Sequence, residues 1–519
     1  MRRLCGIETE YGIQVEGSEN LDVVTESMEL IRSYAKEDFV ARWDYSLENP
    51  RLDMRGYEVE KLRNDQDELE HLQADRRQKI SIGDLKSDLL ICNGARLYND
   101  HTHPEFSTPE CRDLFKLVAY DRAGERILSH CADSRTKSRG DGIVRLYKNN
   151  TDFHGHSYGT HENFLIERRI DFDVVVSALI PFVITRQIYA GAGKVGIEQD
   201  AKIESATYQI SQRSDFFEVI CSVDTMQNRP LINSRDEPHA NSEFWRRLHI
   251  IIGDANMCEW ATALKVGCLS LVIDLLEDGC VPSLKCDDPI SALKSISKDI
   301  SYSWPVLMED GRYYSAIEIQ NFYFETARSE YAGRDDETDW LLSEWSRALN
   351  SLADDHRSLI GFCDWITKKW LLDEFAEAEG LDWECEEDLA WLQSQDLQYH
   401  NIDPFEGLSS ILESQGQMEC LVSDDDVKNA IISPPLDTRA YFRGRVVSRF
   451  SSCIRSLNWD MIEFEVDGNT RNIDLKNCIS VESARAYNSA IDSAKNINDL
   501  LERIDPLSRN SVVRGENLK

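Results

Sequence analysis

The sequence predicts an α+β fold with a largely antiparallel sheet. Strand-like and helix-like runs are interspersed, but they do not follow the regular strand–helix order that a parallel sheet requires. A chain of 519 residues is also too long for one compact core, which indicates a large domain and a smaller one. The strand-like runs are residues 4–15, 92–100, 143–148, 161–167, 207–211 and 249–252.

Helical patterns occupy residues 173–189, residues 257–277 and most of residues 290–397. For the second of these helices, Asn256 is the candidate N-cap. Gly279 stands just past its last apolar residues, where a helix commonly ends. The tryptophans of the third region have a spacing more typical of helix packing than of a ligand site.

Two further segments set the domain organisation. Residues 44–88 are rich in charge and poor in large apolar groups, so we expect them to form a mobile polar insertion. A Pro-Pro turn at residues 434–435 opens the last part of the chain. The predicted division is therefore a large domain of residues 1–432 and a small C-terminal domain of residues 433–519.

Composition excludes several classes of protein. With 93 acidic and 58 basic residues, the net charge of −35 leaves too little basic surface to bind nucleic acid. Glu8 and Glu10 stand where a secretory signal would be apolar, and the apolar run 174–184 is too short to span a membrane. The 14 cysteines include no C-x-x-C pair, as expected of reduced thiols in a cytoplasmic protein.

An acidic pair lies in the first predicted strand. Glu8 and Glu10 are two residues apart, so both side chains share one face of the sheet. Carboxylate oxygens are ligands that magnesium prefers. A solvated sheet face would carry the same pattern, and the pair alone does not decide between the two.

A second polar face follows in the next strand-like run. Arg96, Tyr98 and Asp100 alternate along the chain and therefore lie on one side of the strand. Glu105 and Glu110 add further acid shortly afterwards. Clustered titratable groups of this kind are more typical of a polar cleft than of a core.

Later motifs carry polar groups that suit either a site or a salt-bridge network. They are residues 148–150 (KNN) and residues 233–239 (NSRDEPH). His161 and His249 could each be a ligand, or a core histidine whose hydrogen bonds are satisfied within the protein. The glycine-rich run 191–196 follows a helical pattern, so we interpret it as a loop. The sequence contains neither a G-x-x-x-x-G-K-[ST] phosphate loop nor a G-x-S-x-G hydrolase elbow.

Taken together, these motifs make the chain resemble the Pup ligase and deamidase family. They occur in a fixed order over nearly the whole length. The matching segments are residues 6–12 (GIETEYG), 93–98 (NGARLY), 103–105 (HPE), 148–150 (KNN), 161–164 (HENF), 235–239 (RDEPH), 247–254 (RLHIIIGD) and 438–444 (TRAYFRG).

The resemblance implies a fold like that of glutamine synthetase, in which a curved, mainly antiparallel sheet flanked by helices holds ATP and magnesium. It also implies roles for individual residues. Asp100 would be the catalytic carboxylate, acting as nucleophile or as general base. The magnesium ligands would be Glu8, Tyr98 and Glu105, with Glu10, His161 and His249 as further candidates. The ATP contacts would be Arg96, Thr108 and Trp459, with Arg247 on a phosphate.

The family has two branches, and the chain is more similar to the deamidase. That branch hydrolyses the C-terminal glutamine side chain of Pup, a disordered tag protein, and removes Pup from lysines of pupylated proteins in the bacterial proteasome pathway. The long polar insertion, residues 211–215 (SQRSD) and residues 441–444 (YFRG) are similar to deamidase sequences. Residues 6–10 (GIETE) are more similar to the ligase.

Two alternatives remain open at this point. In the ligase alternative, ATP phosphorylates the terminal glutamate of Pup and Asp100 deprotonates the incoming lysine. In the other, the chain is a catalytically inactive acidic scaffold. The intact set of Glu8, Tyr98, Asp100 and Glu105 argues against a scaffold, which would not need it.

Overall fold

An eight-stranded sheet forms the centre of the structure, which is a computed structural model. It describes residues 1–17, 22–35, 42–46, 48–62, 86–153, 155–198, 207–225 and 229–514, with side chains described as far as residue 507. The strand order is β10-β11-β12-β7-β1-β5-β4-β3. Every neighbouring pair is antiparallel except β10 and β11. The predicted α+β fold with a mainly antiparallel sheet is confirmed.

The strands of this sheet are β1 (Cys5–Glu10), β3 (Leu89–Leu90), β4 (Arg96–Asp100), β5 (His103–Ser107), β7 (Thr160–Glu167), β10 (Val219–Ser222), β11 (Pro230–Asn233) and β12 (Trp245–Ile250). Smaller sheets pair β2 (Gly12–Glu16) with β6 (Ile143–Tyr147), β8 (Lys194–Val195) with β9 (Tyr208–Gln209), and β13 (Pro305–Leu307) with β14 (Tyr313–Ser315). A three-stranded sheet contains β15 (Ile454–Leu457), β16 (Met461–Val466) and β17 (Asn469–Asp474).

Helices flank the sheets. They are α1 (Val23–Ala35), α2 (Leu114–Arg139), α3 (Phe172–Thr185), α4 (Gln187–Ala190), α5 (Glu259–Glu277), α6 (Pro289–Lys298), α7 (Ala316–Tyr331), α8 (Asp336–Asp354), α9 (Asp364–Glu379), α10 (Glu386–Tyr399), α11 (Leu408–Ser414), α12 (Asp424–Ile432), α13 (Arg439–Phe450), α14 (Val481–Ser493) and α15 (Ile497–Arg514). Among the helices that the structure describes, none combines the length and the apolar character needed to cross a membrane.

The central helix α5 is buried along almost its entire length. Its N-terminus is capped differently from the prediction, because Asn256 does not supply the cap. Instead Asp364, at the start of α9, accepts hydrogen bonds from the backbone N–H groups of Met257 and Cys258. This cap joins two helices that are about a hundred residues apart in sequence, and no local pattern could indicate it.

The C-terminal part has a hydrophobic core of its own. Phe442, Ile462, Phe464 and Tyr487 are among its buried residues, and Leu90 of β3 also contributes to it. Such a core is what a small C-terminal domain requires. The division of the chain at residue 433 stays a prediction.

The polar insertion is anchored where the structure describes it. Trp43 forms a β-bridge with Leu457 of β15. Further along, Asp53 and Met54 are buried, and Asp53 accepts a hydrogen bond from the hydroxyl of Ser234. This packing differs from the mobility expected of residues 44–62, and residues 63–85 lie outside the described part of the chain.

Candidate active site

One face of the central sheet carries the predicted site. In the antiparallel register, Glu8 is opposite His161, and Glu105 is opposite both Glu10 and Tyr98. Residues directly opposite each other project to the same side of a sheet. Alternation within β1 and β4 then places Glu8, Glu10, Tyr98, Asp100 and Glu105 on a single face, as the sequence predicted.

The first group of candidate ligands is Glu8, His161 and His249, each with a ligand atom within 4.8 Å of the others. Each imidazole lies 3.5 Å from Glu8 Oε2. Burial and the neighbouring Arg247 lower the pKa of His249 well below its ordinary value, so its ring is neutral at pH 7. Its Nε2 is buried without a hydrogen bond to any described residue, which is how a metal-binding nitrogen would be left before metal binds.

The charge of Glu8 is stabilised by these neighbours. Burial by itself would raise the pKa of the Glu8 carboxyl. The hydrogen bond to His161 and the guanidinium of Arg247, 3.5 Å away, outweigh burial and lower that pKa below its ordinary range. Glu8 is therefore ionised at neutral pH and available as an oxygen ligand.

The second group is Glu10, Asp100 and Glu105, whose carboxylate oxygens also lie within 4.8 Å of one another. Burial, and then the negative charge of Asp100, raise the pKa of Glu105 well above its ordinary value. Three carboxylates this close repel one another, and Lys86 pairs with Asp100. A divalent cation would supply the remaining compensating charge. The all-oxygen donor set fits magnesium, whereas the two imidazoles of the first group are donors that magnesium uses less.

Tyr98 lies beside Glu105 as a neutral oxygen donor. Burial, and then the charge of Glu105, raise the pKa of the Tyr98 phenol well above its ordinary value. An un-ionised phenol adds a neutral oxygen donor to the cluster of three carboxylates.

Asp100 contacts two neighbouring side chains, His101 and Lys86. His101 Nδ1 lies 3.2 Å from one carboxylate oxygen, and Lys86 Nζ lies 3.0 Å from the other. Burial would raise the pKa of Asp100, but these two neighbours lower it well below its ordinary value. An ionised carboxylate at this position can act as a nucleophile or accept a proton.

Arg96 lies between aromatic rings. Its guanidinium is 3.8 Å from the ring centres of both Trp43 and Tyr98. Its Nε donates to Asp88 at 2.7 Å, and Nη2 donates to the Tyr45 hydroxyl at 3.0 Å. Arg96 thus faces the site, but several of its donors are engaged by the protein, and its contact with ATP stays a prediction.

A pocket that is partly open to solvent, with a cavity volume of about 80 Å³, lies beside the first ligand group. Strand β1 forms one wall, and the C-terminal part of the chain forms the other. Among the residues lining it are Gly6, Glu8, His239, Arg247, Arg439 and Trp459. An aromatic ring and arginines around an apolar floor match what a nucleotide base and its phosphates need.

The other predicted ATP contacts divide between the pocket and its surroundings. Arg247 and Trp459 line the pocket directly. Thr108 does not line it, and its hydroxyl accepts a hydrogen bond from the backbone N–H of Ile7 at 3.0 Å. Thr108 therefore packs against β1 beside Gly6. A Cβ atom at Gly6 would lie only 3.3 Å from the Thr108 hydroxyl, so glycine leaves room for this contact.

Sequence reasoning missed Arg213 as a site residue. It is fully buried, and its Nε donates to the Ser157 hydroxyl at 3.2 Å. Within the described part of the chain, Arg213 Nη2 has no hydrogen-bond partner and no carboxylate forms an ion pair with it. Burial lowers the pKa of Arg213 to about 9, with the charges of Arg229, Glu10 and Asp254 as smaller influences. The only indication in the sequence was the SQRSD motif of residues 211–215. A motif gives no information on whether Nη2 of its arginine has a hydrogen-bond partner.

Two other basic motif residues are structural. Lys148 of the KNN motif contacts Asp121 at 2.6 Å and Glu125 at 2.8 Å, all three buried. Lys194 of the glycine-rich loop is paired with Glu198 and Asp215. Both lysines are neutralised by carboxylates of the protein. The run predicted to be a loop contains the short strand β8 at Lys194–Val195.

Comparison with known proteins identifies the family of the chain. Residues 3–463 match the Pup-ligase protein family. A depupylase from Acidothermus cellulolyticus is 41% identical over 478 residues, covering 90% of this chain and 92% of that protein. The chain belongs to the Pup-ligase family. A Pup–protein ligase from Acidimicrobium ferrooxidans is 40% identical over 419 residues, covering 79% of this chain and 90% of that protein.

Solved structures of the Pup-ligase family share the fold. The complex between Pup and its ligase PafA matches with a TM-score of 0.75 and 30% identity, covering 98% of this chain and 95% of that one. The Pup ligase PafA in complex with ADP matches with a TM-score of 0.71 and 33% identity, covering 84% and 96%. Relatives of both branches are thus similar to this chain.

Proposed function

We propose that this chain is an ATP- and magnesium-dependent Pup deamidase and depupylase. It hydrolyses the side-chain amide at the C-terminus of Pup and the isopeptide bond between Pup and a substrate lysine. The observation that carries the proposal is an ionised Asp100 beside the carboxylates of Glu10 and Glu105, on the face that also bears Glu8. A scaffold protein would have no use for this costly concentration of buried charge.

The assignment to the hydrolase branch is supported by length as well as identity. The match to the depupylase covers 90% of this chain, whereas the match to the ligase covers 79%. The partners would be Pup and pupylated proteins of the proteasome pathway, and the location would be the cytoplasm.

Cofactor binding follows from the two halves of the site. Glu10 and Glu105, with Tyr98, would hold magnesium, and Glu8 with His161 and His249 would hold a second ion. ATP would enter the pocket between β1 and Trp459, with Arg247 at the phosphates. The bound cations would supply positive charge that stabilises a developing oxyanion.

The protein's own groups perform the remaining steps. Asp100 either attacks the amide carbonyl or takes a proton from the attacking water. The unpaired Nη2 of the buried Arg213 offers a donor to a negatively charged group on this face. In the net reaction the C–N bond breaks, the carbonyl carbon gains the oxygen of water, and the departing nitrogen takes a proton.

A Pup ligase is the second candidate, because both structural relatives are the ligase PafA, and a separate Pup–protein ligase is 40% identical in sequence. In that reaction Asp100 would accept the proton of the incoming lysine amine. The same residues would then hold ATP and magnesium. The two functions differ in acceptor: water in one and lysine in the other.

The decisive experiment incubates the protein with ATP, magnesium and a purified Pup conjugate, and separately with Pup that ends in glutamine. We expect release of free Pup from the conjugate and conversion of the terminal glutamine to glutamate, followed on a gel and by intact mass. New conjugates formed from free Pup would establish the ligase instead. ATP binding without either reaction would overturn both assignments.

Trp459→Ala should lower the affinity for ATP. Its ring lines the pocket and meets Trp43 edge to face at 5.4 Å, so truncation removes a flat apolar wall. Removing a ring that stacks on a base costs about tenfold in affinity. Calorimetric titration with ADP measures the change, and Trp391→Ala, on helix α10, serves as the matched control. Equal affinities of the two variants would place the base elsewhere.

A further inference from the structure

A lysine of the polar insertion contacts the catalytic carboxylate. Lys86 Nζ lies 3.0 Å from Asp100 Oδ1, and about a quarter of each side chain is exposed, 29% and 24% respectively. The contact is therefore at the mouth of the site and not in the core. No motif of the sequence indicated it.

The backbone around Lys86 is fixed by the residues that follow it. Ser87 has a positive φ of 48° and is completely buried, and its hydroxyl accepts a hydrogen bond from Arg32 at 3.1 Å. Asp88 is paired with Arg96 at 2.7 Å, and strand β3 begins at the next residue. These contacts fix the backbone in a position from which the Lys86 side chain reaches Asp100.

The surroundings of the ammonium group are those of a lysine-binding subsite. Lys86 Nζ lies 5.4 Å from the centre of the Tyr45 ring and 5.8 Å from that of the Tyr98 ring. Two aromatic faces and one carboxylate are a common way to bind an alkylammonium group. The subsite is formed by residues from the insertion, from β4 and from the end of that strand.

The reaction of the proposed function requires a lysine at this same place. The scissile C–N bond joins the carbonyl carbon that Asp100 must approach to the ε-nitrogen of the substrate lysine. On cleavage that nitrogen gains a proton and becomes an ammonium group beside Asp100. Its four-carbon stem must then leave the site past Tyr45 and Tyr98.

We propose that Lys86 occupies the subsite of the substrate's lysine and so determines which bond the enzyme cleaves. This inference rests on the proposed function and adds a specificity residue to it. The terminal glutamine amide of Pup releases ammonia, which has no alkyl stem, so it is hydrolysed with Lys86 in place. An isopeptide bond reaches Asp100 only when Lys86 has left the carboxylate. Lys86 thereby favours deamidation over removal of Pup from proteins.

The test compares kcat/KM for a Pup conjugate with kcat/KM for glutamine-ended Pup in wild type, Lys86→Met and Lys86→Arg. In Lys86→Met we expect the ratio of conjugate to glutamine activity to rise about fivefold, the scale of one partly exposed ion pair. The rise should come mainly from a lower KM for the conjugate. Lys86→Arg keeps the charge and the occupied subsite, so its ratio should stay near that of wild type.

Lys61→Met removes an exposed lysine of the same insertion and is the matched control. An equal loss of both activities in Lys86→Met would overturn the proposal, since it would mean that Lys86 serves only the charge of Asp100. An unchanged ratio in a folded Lys86→Met protein would overturn it as well. If wild type shows neither activity, it is the proposed function that has failed, and the comparison of ratios cannot be made.

Discussion

Asp100→Asn should leave a folded protein that binds ATP and no longer cleaves Pup conjugates. Asparagine keeps the shape of the side chain but can neither attack a carbonyl nor accept a proton. We expect the rate of conjugate cleavage to fall by at least about 100-fold, the usual scale for losing a positioned base. The rate is measured by release of free Pup, and ATP binding by calorimetry.

A matched control separates catalysis from folding. Asp133→Asn changes an exposed aspartate of helix α2 that makes only a distant contact with Lys137, at 3.9 Å, and should behave as wild type. If Asp100 merely held Lys86 and His101, its variant would lose thermal stability but keep its rate per folded molecule. Cleavage by purified Asp100→Asn at a rate near that of wild type would contradict the mechanism.

Glu8→Gln should have the second large effect, through the metal. Three groups approach the Glu8 carboxylate at 3.5 Å, and the neutral amide would leave the partly buried Arg247 without one of its counter-charges. Substituting even an outer partner of a metal ligand costs about 10–100-fold in affinity or activity, so a direct ligand should cost at least about 100-fold. The measurement is activity as a function of magnesium concentration.

The control for this variant is Glu16→Gln. Glu16 lies on the neighbouring strand β2, is half exposed, and pairs with Arg145 at 3.3 Å, away from both ligand groups. Its magnesium dependence should match that of wild type. An unchanged magnesium dependence in Glu8→Gln would remove Glu8 from the set of ligands.

The face of the sheet was predictable because alternation along a strand is a local property. Glu8 and Glu10 could be assigned to one side of β1, and Tyr98 and Asp100 to one side of β4, before any tertiary contact was known. The side chains of β1 and β4 come together because β5 lies between the two strands. The resemblance implied that these side chains form one site, whereas the residues alone did not. The class of the fold was accessible for the same reason, but the extent of the sheet was not. The predicted runs 143–148 and 207–211 lie in smaller sheets, and β5, β10 and β11 of the central sheet were not predicted.

Contacts between distant segments could not be predicted. Arg213 donates hydrogen bonds to Ser157, Ile251 and Gly253, but its Nη2 has no partner among the described residues. Such a lack of a partner is visible only once every neighbour is in place. Asp364 caps a helix from another part of the chain, and Lys86 reaches Asp100 from a segment whose composition indicated only mobility. The composition of the insertion did not indicate that Asp53 would be buried beside Ser234.

The pocket proposed to bind ATP takes its two walls from opposite ends of the chain. Residues 4–6 form one side, and Arg439, Trp459 and Ile479 form the other. During synthesis on the ribosome, the first wall emerges long before the second exists. A nascent chain therefore cannot complete this pocket until Ile479 has been translated and has left the exit tunnel. ATP at cellular concentrations would stabilise only the finished protein and would give no help to its partly synthesised precursors.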